Sequence, residues 1–173
     1  MLYVLFDLVR HGEYVSEFSC EKVCYFLQRF GAKKYFKLEY IPYYYGPYSG
    51  KVRHVLYALN GSYIMGYSDM DKKAFSPLNL IPDCWNEVSQ YVESKSELKE
   101  IAERTMAFLR GFYSDFALEL LSSIDFLLQS GQATDRQSVI DGLNSWNDRK
   151  RSLFSDTRYI DISLKHLSEA NFV

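Results

Sequence analysis

Apolar positions recur at two spacings along the chain, and the alternation between them sets the expected elements. Leu2, Leu5, Phe6 and Val9 follow helical spacing, which predicts a helix over 2–11 ending at His11 or Gly12. Ser19 is placed to cap a second helix, in which Cys20, Val23, Cys24, Phe26, Leu27 and Phe30 turn inward and Gly31 is the stop. The run from Tyr35 to Ile41 alternates instead, with Lys37 and Glu39 on one face and Phe36, Leu38 and Tyr40 on the other. That pattern predicts a half-buried strand. Val52, Val55, Leu56 and Leu59 return to helical spacing and stop at Asn60 and Gly61. Residues 63–67 and 78–81 read as two strands joined through a polar segment, with Lys72 and Lys73 on a wing.

Beyond Pro82 the pattern is helical throughout. A stripe from Leu98 through Ile101, Thr105, Phe108, Phe112, Phe116, Leu120 and Ile124 to Leu127 predicts one long helix, with Gly111 as a kink or close-packing point. A further helix is expected over about 136–154, turning Val139, Ile140, Leu143 and Trp146 inward. A last one holds Ile160, Leu164 and Leu167. The fold class is therefore α+β, mostly α. Its N-terminal half (1–82) is winged-helix-like with a small antiparallel sheet, and it packs on a helical half (83–173) as a single domain of 1–173.

Between the two patterns of the first half lies the densest stretch of the chain, from Tyr40 to Gly50, with five tyrosines, two prolines and two glycines in eleven residues. Pro42 and Pro47 lack the N–H of a central strand, and Gly46 tolerates backbone angles that other residues resist. The stretch reads as a strand leaving its sheet through a rigid turn, after which Ser49 caps the next helix. Each tyrosine ring suits a core edge or a contact surface.

Composition changes the picture in two ways. With 173 residues, 47% of them hydrophobic, the chain can bury one sizeable core, and its apolar runs are too short to span a bilayer. Three cysteines suit a reducing cytoplasm better than a disulfide framework. The net charge of −2 hides a split: residues 22–73 carry nine Lys or Arg against three acids, and residues 83–148 carry twelve acids against five Lys or Arg. Such a split fits a partner-facing pattern, and solvated helix faces produce it as well.

Candidate chemistry is sparse. Cys20 and Cys24 stand one helical turn apart, but no second close pair completes a zinc set, so buried thiols explain them better. His54 beside Arg53 has the chemistry of an acid or base, against the commoner structural role of a helix histidine. The tail from Trp146 to Arg151 sets a ring beside three cations, suited to phosphate or to the end of a helix. No phosphate loop, nucleophile elbow or metal helix is present, so neither metal nor cofactor is expected and catalysis has little to rest on.

Tyr25-Phe-Leu-Gln28, Tyr45-Gly-Pro-Tyr48, His54-Val-Leu56, Gly61-Ser-Tyr-Ile64 and Gly66-Tyr-Ser-Asp69 together resemble the C-terminal domain of DarG antitoxins. The tail from Trp146 to Phe154 resembles the end of that domain, and Tyr-Gly-Pro before a helix also occurs in the related Panacea domain. The resemblance implies a DarT-like toxin as partner, an enzyme that ADP-ribosylates thymidine on single-stranded DNA and that such domains block by imitating the DNA. DarG proteins also carry a macrodomain that removes ADP-ribose, and nothing in this sequence resembles it. The expectation is thus a non-enzymatic cytoplasmic antitoxin domain, with Tyr43, Tyr44, Tyr45, Tyr48, Asp69, Asp71, Glu93, Glu97 and Glu100 meeting the partner. The acids would stand in for phosphates and the rings for bases. The alternative is a winged-helix nucleic-acid-binding or regulatory protein that uses Lys33, Lys34, Lys37, Lys51, Arg53, Lys72 and Lys73.

Overall fold

The structure, a computed structural model, describes residues 1–67 and 73–172. Helix α1 (Leu2–Arg10) ends at His11, as its apolar spacing predicts. Helix α2 (Glu17–Leu27) starts three residues earlier than expected: Ser16 is its N-cap, and Ser19 completes a reciprocal capping box from inside the first turn. All eleven residues of α2 are buried, which makes it the axle of the molecule, with α1 and the later helices α4, α6 and α7 packed around it. Its backbone runs on through a wide turn (Gln28–Ala32) into the single helical turn α3 (Lys33–Phe36).

The alternation over residues 35–41 is therefore not a strand. Lys37 takes left-handed angles (φ 49°), and the Gln28 carboxamide bonds both the N–H and the C=O of Leu38, at 2.8 and 3.0 Å. A side chain has taken the place of a ladder neighbour. The alternating pattern arises because Leu38 is buried as an isolated plug between exposed neighbours.

The tyrosine-rich stretch forms a hairpin of its own. Strand β1 (Ile41–Tyr43) pairs antiparallel with β2 (Gly46–Tyr48) around a turn at Tyr44 and Tyr45, with Pro42 opposite Pro47. Helix α4 (Gly50–Leu59) follows. Ser49 stands at its N-cap position, yet its side chain makes no capping bond, and its backbone N–H donates to Glu21. Strands β3 (Ile64–Met65) and β4 (Asn79–Leu80) make the second hairpin where two strands were expected. Asp69, Asp71 and Lys72 lie outside the described residues, while Lys73 is exposed. The α+β, mostly α class holds, with two small antiparallel sheets in place of one.

The second half holds α5 (Trp85–Glu93), α6 (Ser96–Leu109), α7 (Asp115–Gln129), α8 (Arg136–Trp146), α9 (Asp148–Leu153) and α10 (Thr157–Glu169). The long apolar stripe is cut into α6 and α7, where Ser114 takes over as a new N-cap. The helix expected over 136–154 is likewise cut at Asn147, whose backbone is extended and whose side-chain oxygen accepts the Lys150 N–H. Apolar periodicity survives such breaks because both pieces face the same core. One hydrophobic cluster runs through both halves, from Leu5, Phe26 and Leu56 to Leu109, Leu121 and Leu143. Among the described residues no helix is long and apolar enough to cross a membrane.

Candidate functional site

A cavity of about 170 Å³ opens between the first two turns of α2, the tyrosine hairpin and α4. Its wall combines four rings, Phe18, Tyr43, Tyr45 and Tyr48, with four ionisable groups, Glu17, Glu21, Lys22 and Arg53. The two glutamates are four residues apart on α2, so they project from one face of the helix. The first turn of α2 is pinned from outside: the Phe18 N–H donates to Ala74 O (2.9 Å), and the ring of Phe18 packs 4.7 Å from that of Phe75.

Glu17 is fully engaged. The Tyr67 hydroxyl donates to it at 2.6 Å, and the Arg53 guanidinium lies 3.4 Å away at the rim. Glu21 is only half engaged. One carboxyl oxygen accepts the Ser49 N–H at 3.0 Å, while Oε1, buried within a residue only 2% exposed, has no hydrogen-bond partner among the described residues. Burial outweighs the Ser49 bond and the neighbouring cations and pushes the Glu21 carboxyl up to about 8, so it holds a proton near neutrality. Lys22, buried beside it, donates to Pro47 O at 2.8 Å. Burial draws its ammonium down to about 7. Tyr48 is raised by burial and then by the charges of Glu17 and Glu21.

The hairpin wall is held rigidly against the body. Gly46 has φ 104°, and a Cβ there would lie 2.9 Å from Ser123 Oγ and 3.2 Å from Lys22 Nζ, so only glycine fits. Trp146 Nε1 donates to Tyr43 O at 2.9 Å and Asn147 Nδ2 to Tyr44 O at 3.0 Å. Below them the buried Lys150 ammonium donates to Glu119 (2.8 Å) and Ser123 (3.0 Å), and Arg149 also pairs with Glu119. The tail from Trp146 to Arg151 is thus a clamp on the hairpin, not a free phosphate-binding end.

Of the residues singled out in the sequence, the structure brings together Tyr43, Tyr45 and Tyr48 at the cavity, with Tyr44 exposed at the hairpin tip. Glu93, Glu97 and Glu100 do not line it. Glu93 accepts from Ser89, Glu97 is taken by Lys34 and the Tyr35 hydroxyl, and Glu100 faces Arg104 at 3.8 Å. The Lys34–Glu97 pair and the Arg29–Asp125 pair (2.7 and 3.1 Å) join the basic region to the acidic one, so part of the charge split is spent inside the molecule. His54 is exposed on α4 and does not line the cavity. Cys20 and Cys24 are buried free thiols, Cys24 pushed up by burial to about 12. Among the described residues no group of His, Cys, Asp or Glu is arranged to hold a metal. Glu17, Glu21 and Lys22 were missed by the sequence reading. Their signal was three charges inside an otherwise apolar helix; Glu17 was hidden because that helix was started after Ser19, while Glu21 and Lys22 lay within it.

No protein-family model matches the sequence. Over 139 residues, 80% of the chain, it is 31% identical to a protein of Thermus aquaticus named DNA ADP-ribosyl glycohydrolase. Over 149 residues, 83% of the chain, it is 25% identical to proteins of the same name from Mycobacterium tuberculosis and Mycobacterium bovis. The chain spans about two fifths of the length of these curated relatives, 38% and 42%. The relationship to DarG-type proteins holds at this level. The relatives' name also corrects two expectations, that of a non-enzymatic antitoxin imitating DNA and that of a chain outside enzymes: it is the name of a hydrolase.

Proposed function

We propose that the chain is a substrate-holding module of a DNA ADP-ribosyl glycohydrolase, corresponding to the C-terminal domain of DarG-type proteins, and that the Glu17–Glu21 cavity takes part of the ADP-ribosylated DNA. The observation that carries this reading is the cavity itself, which sets the carboxyls of Glu17 and Glu21 and the Arg53 guanidinium against the rings of Phe18, Tyr43, Tyr45 and Tyr48. A carboxyl that keeps its proton near neutrality can donate a hydrogen bond to a glycoside or base oxygen. A second carboxyl on the same face is the pairing that glycosidic chemistry uses. Exposed rings offer stacking surfaces for bases, and Arg53 at the rim suits a phosphate. In this setting a DarT-like toxin is the source of the modified DNA.

The test is binding of a single-stranded oligonucleotide carrying one ADP-ribose against the same strand unmodified. The modified strand should bind about tenfold or more tightly, and the preference should disappear in the Glu21→Ala, Arg53→Ala double variant. Equal affinity for the two strands would remove the reading. Chromatographic assay of ADP-ribose release by the chain alone measures whether the module also cleaves.

A further inference from the structure

A surface groove runs between the outer strand of the tyrosine hairpin, β1, and helix α8. Two hollows of about 440 and 400 Å³ make it up, and they meet at Pro42 and Trp146. One passes over Leu127 to Gly142 and Ser145 of α8, and the other passes Tyr44 and Asn147 at the hairpin tip. Gly142 keeps the floor low, since a Cβ there would lie 3.0 Å from a Leu127 methyl. Along the groove Ile41, Tyr43 and Tyr44 are 58%, 57% and 49% exposed, and Pro42 is exposed between them. Contiguous rings left in water on a clamped hairpin are the mark of a contact surface. We infer that this groove docks a proline-rich protein segment bearing basic residues, held in the extended polyproline conformation. The groove is separate from the Glu17–Glu21 cavity, although Tyr43 borders both.

The backbone of this edge narrows the choice of occupant. A strand added to β1 would need free N–H and C=O groups along it. Pro42 has no N–H, and the carbonyls of Tyr43 and Tyr44 already accept Trp146 Nε1 and Asn147 Nδ2. Strand addition is therefore blocked, and what the edge presents is rings and hydroxyls. A polyproline helix matches that surface: it has no ladder of its own, leaves its carbonyls free to accept, and sets a proline on one face every third residue, about 9 Å apart. Trp and Tyr faces stack on such prolines. Charge then selects among proline-rich segments. Glu39 stands exposed three residues before Pro42, and Asp141 stands exposed one helical turn ahead of Ser145 on the rim of the groove. Among the described residues neither enters an ion pair, and Asp141 accepts from the uncharged Gln137. The cations that follow Asn147 are already matched, Arg149 by Glu119 and Arg151 by Asp148 at 3.1 Å. The face is acidic on balance, which favours arginine or lysine beside the prolines and opposes the phosphates of a nucleic acid.

The experiment is calorimetric titration of the intact chain, with tryptophan emission followed in parallel, against a short synthetic peptide carrying a proline at every third position and arginine at both ends. Two control peptides replace the prolines by alanine or the arginines by glutamate. The first peptide should bind with a Kd below about 1 mM, and each control about tenfold more weakly, with the gap between arginine and glutamate shrinking as salt is raised. Tyr44→Ala and Asp141→Lys should each weaken binding about fivefold, while Tyr44→Phe, which keeps the ring, stays within about twofold. Absence of binding below about 1 mM, or equal binding of the alanine peptide, overturns the polyproline assignment. Equal binding of the glutamate peptide overturns the charge argument. Binding that survives both Tyr44→Ala and Asp141→Lys puts the peptide elsewhere and removes the groove. If an unmodified oligonucleotide shifts the emission and the peptide does not, the face belongs to nucleic acid. If the chain alone dimerises with rising concentration and Tyr44→Ala dissolves the dimer, it belongs to a second copy. In either case the inference falls.

Discussion

Trp146 donates its indole N–H to the carbonyl of Tyr43 at 2.9 Å, across 103 positions of sequence, and so ties the C-terminal half to the wall of the cavity. Asn147 repeats the tie one residue further on at Tyr44. Pro42 and Pro47 face each other in the hairpin without N–H groups, so its own ladder is thin and the clamp supplies what the strands do not.

Replacing Trp146 by Phe removes the donor and keeps an aromatic ring against Phe126, 5.8 Å away. A loss of about 0.5–1.5 kcal/mol is expected, with faster hydrogen exchange confined to the hairpin amides. Uniform exchange across the chain, or none, would show that the hairpin stands without the clamp.

Gly46 is tested by Gly46→Ala. The left-handed angle of 104° and the 2.9 Å approach to Ser123 Oγ both act against a Cβ, so destabilisation of about 1–3 kcal/mol is expected from a chemical melt. A companion Ser123→Ala change should return part of the loss, because it removes the nearest atom and leaves the backbone strain. A Gly46→Ala protein as stable as the wild type would show that the hairpin can lift away from α7.

How far these features were legible follows from the range of the interactions. Local signals carried through: the helix over 2–10, the stop at Asn60, the two strands around 64 and 79 and the unusual angle at Gly46 all rest on near-neighbour chemistry. The errors share a different cause. Leu38 alternates with charged neighbours like a strand residue, yet its backbone partner is the Gln28 side chain, which no periodicity reports. The apolar stripe ran unbroken through residues 110–114 and 147 because caps interrupt a helix without interrupting its buried face. Of the site, the rings of Tyr43, Tyr45 and Tyr48 were legible by their density. Glu17, Glu21 and Lys22 were not, since charged residues on a fully buried helix carry the pattern of an exposed one.

Lys150 and Glu119 form a buried pair under the hairpin, at 0% and 1% exposure. Burial draws the Lys150 ammonium downward against the pull of Glu119. Removing Lys150 leaves Glu119 with Arg149 as its one remaining cation, so Lys150→Met should cost about 1–3 kcal/mol. Lys150→Met with Glu119→Leu should recover most of it, since neither charge is then left alone, although Arg149 loses its partner as well. A double variant as unstable as the single would show that shape at this position, and not charge, sets the cost.

The two halves of the chain share one apolar cluster, so residues 1–82 expressed alone should give no cooperative melt. α2 would lose α6 and α7, which cover it in the whole chain. A sharp thermal transition in the fragment would contradict the shared core.

Glu21 and Lys22 give the chain a pH signature with opposite slopes on either side of neutrality. The Glu21 carboxyl, ordinarily near 4.5, is pushed up to about 8, so between those values the folded protein holds a proton that the unfolded chain has released. Stability from this group is present below 4.5 and is lost as the pH rises towards 8. The Lys22 ammonium, ordinarily near 10.5, is drawn down to about 7, so between 7 and 10.5 the unfolded chain holds a proton that the folded one lacks. Its contribution therefore rises with pH across that window. Together they place the weakest contribution of the pair near pH 7–8, inside the range in which the cavity's carboxyl changes charge. Urea melts at pH intervals, with each variant subtracted from the wild type, should show Glu21→Gln flattening the acid-side decline. Lys22→Met should flatten the alkaline-side rise and, because the Lys22 charge helps hold the Glu21 carboxyl down, carry the acid-side decline to higher pH. If Glu21→Gln leaves the acid side unchanged, the carboxyl is already ionised in the folded protein, and the donor role assigned to it in the cavity fails with it.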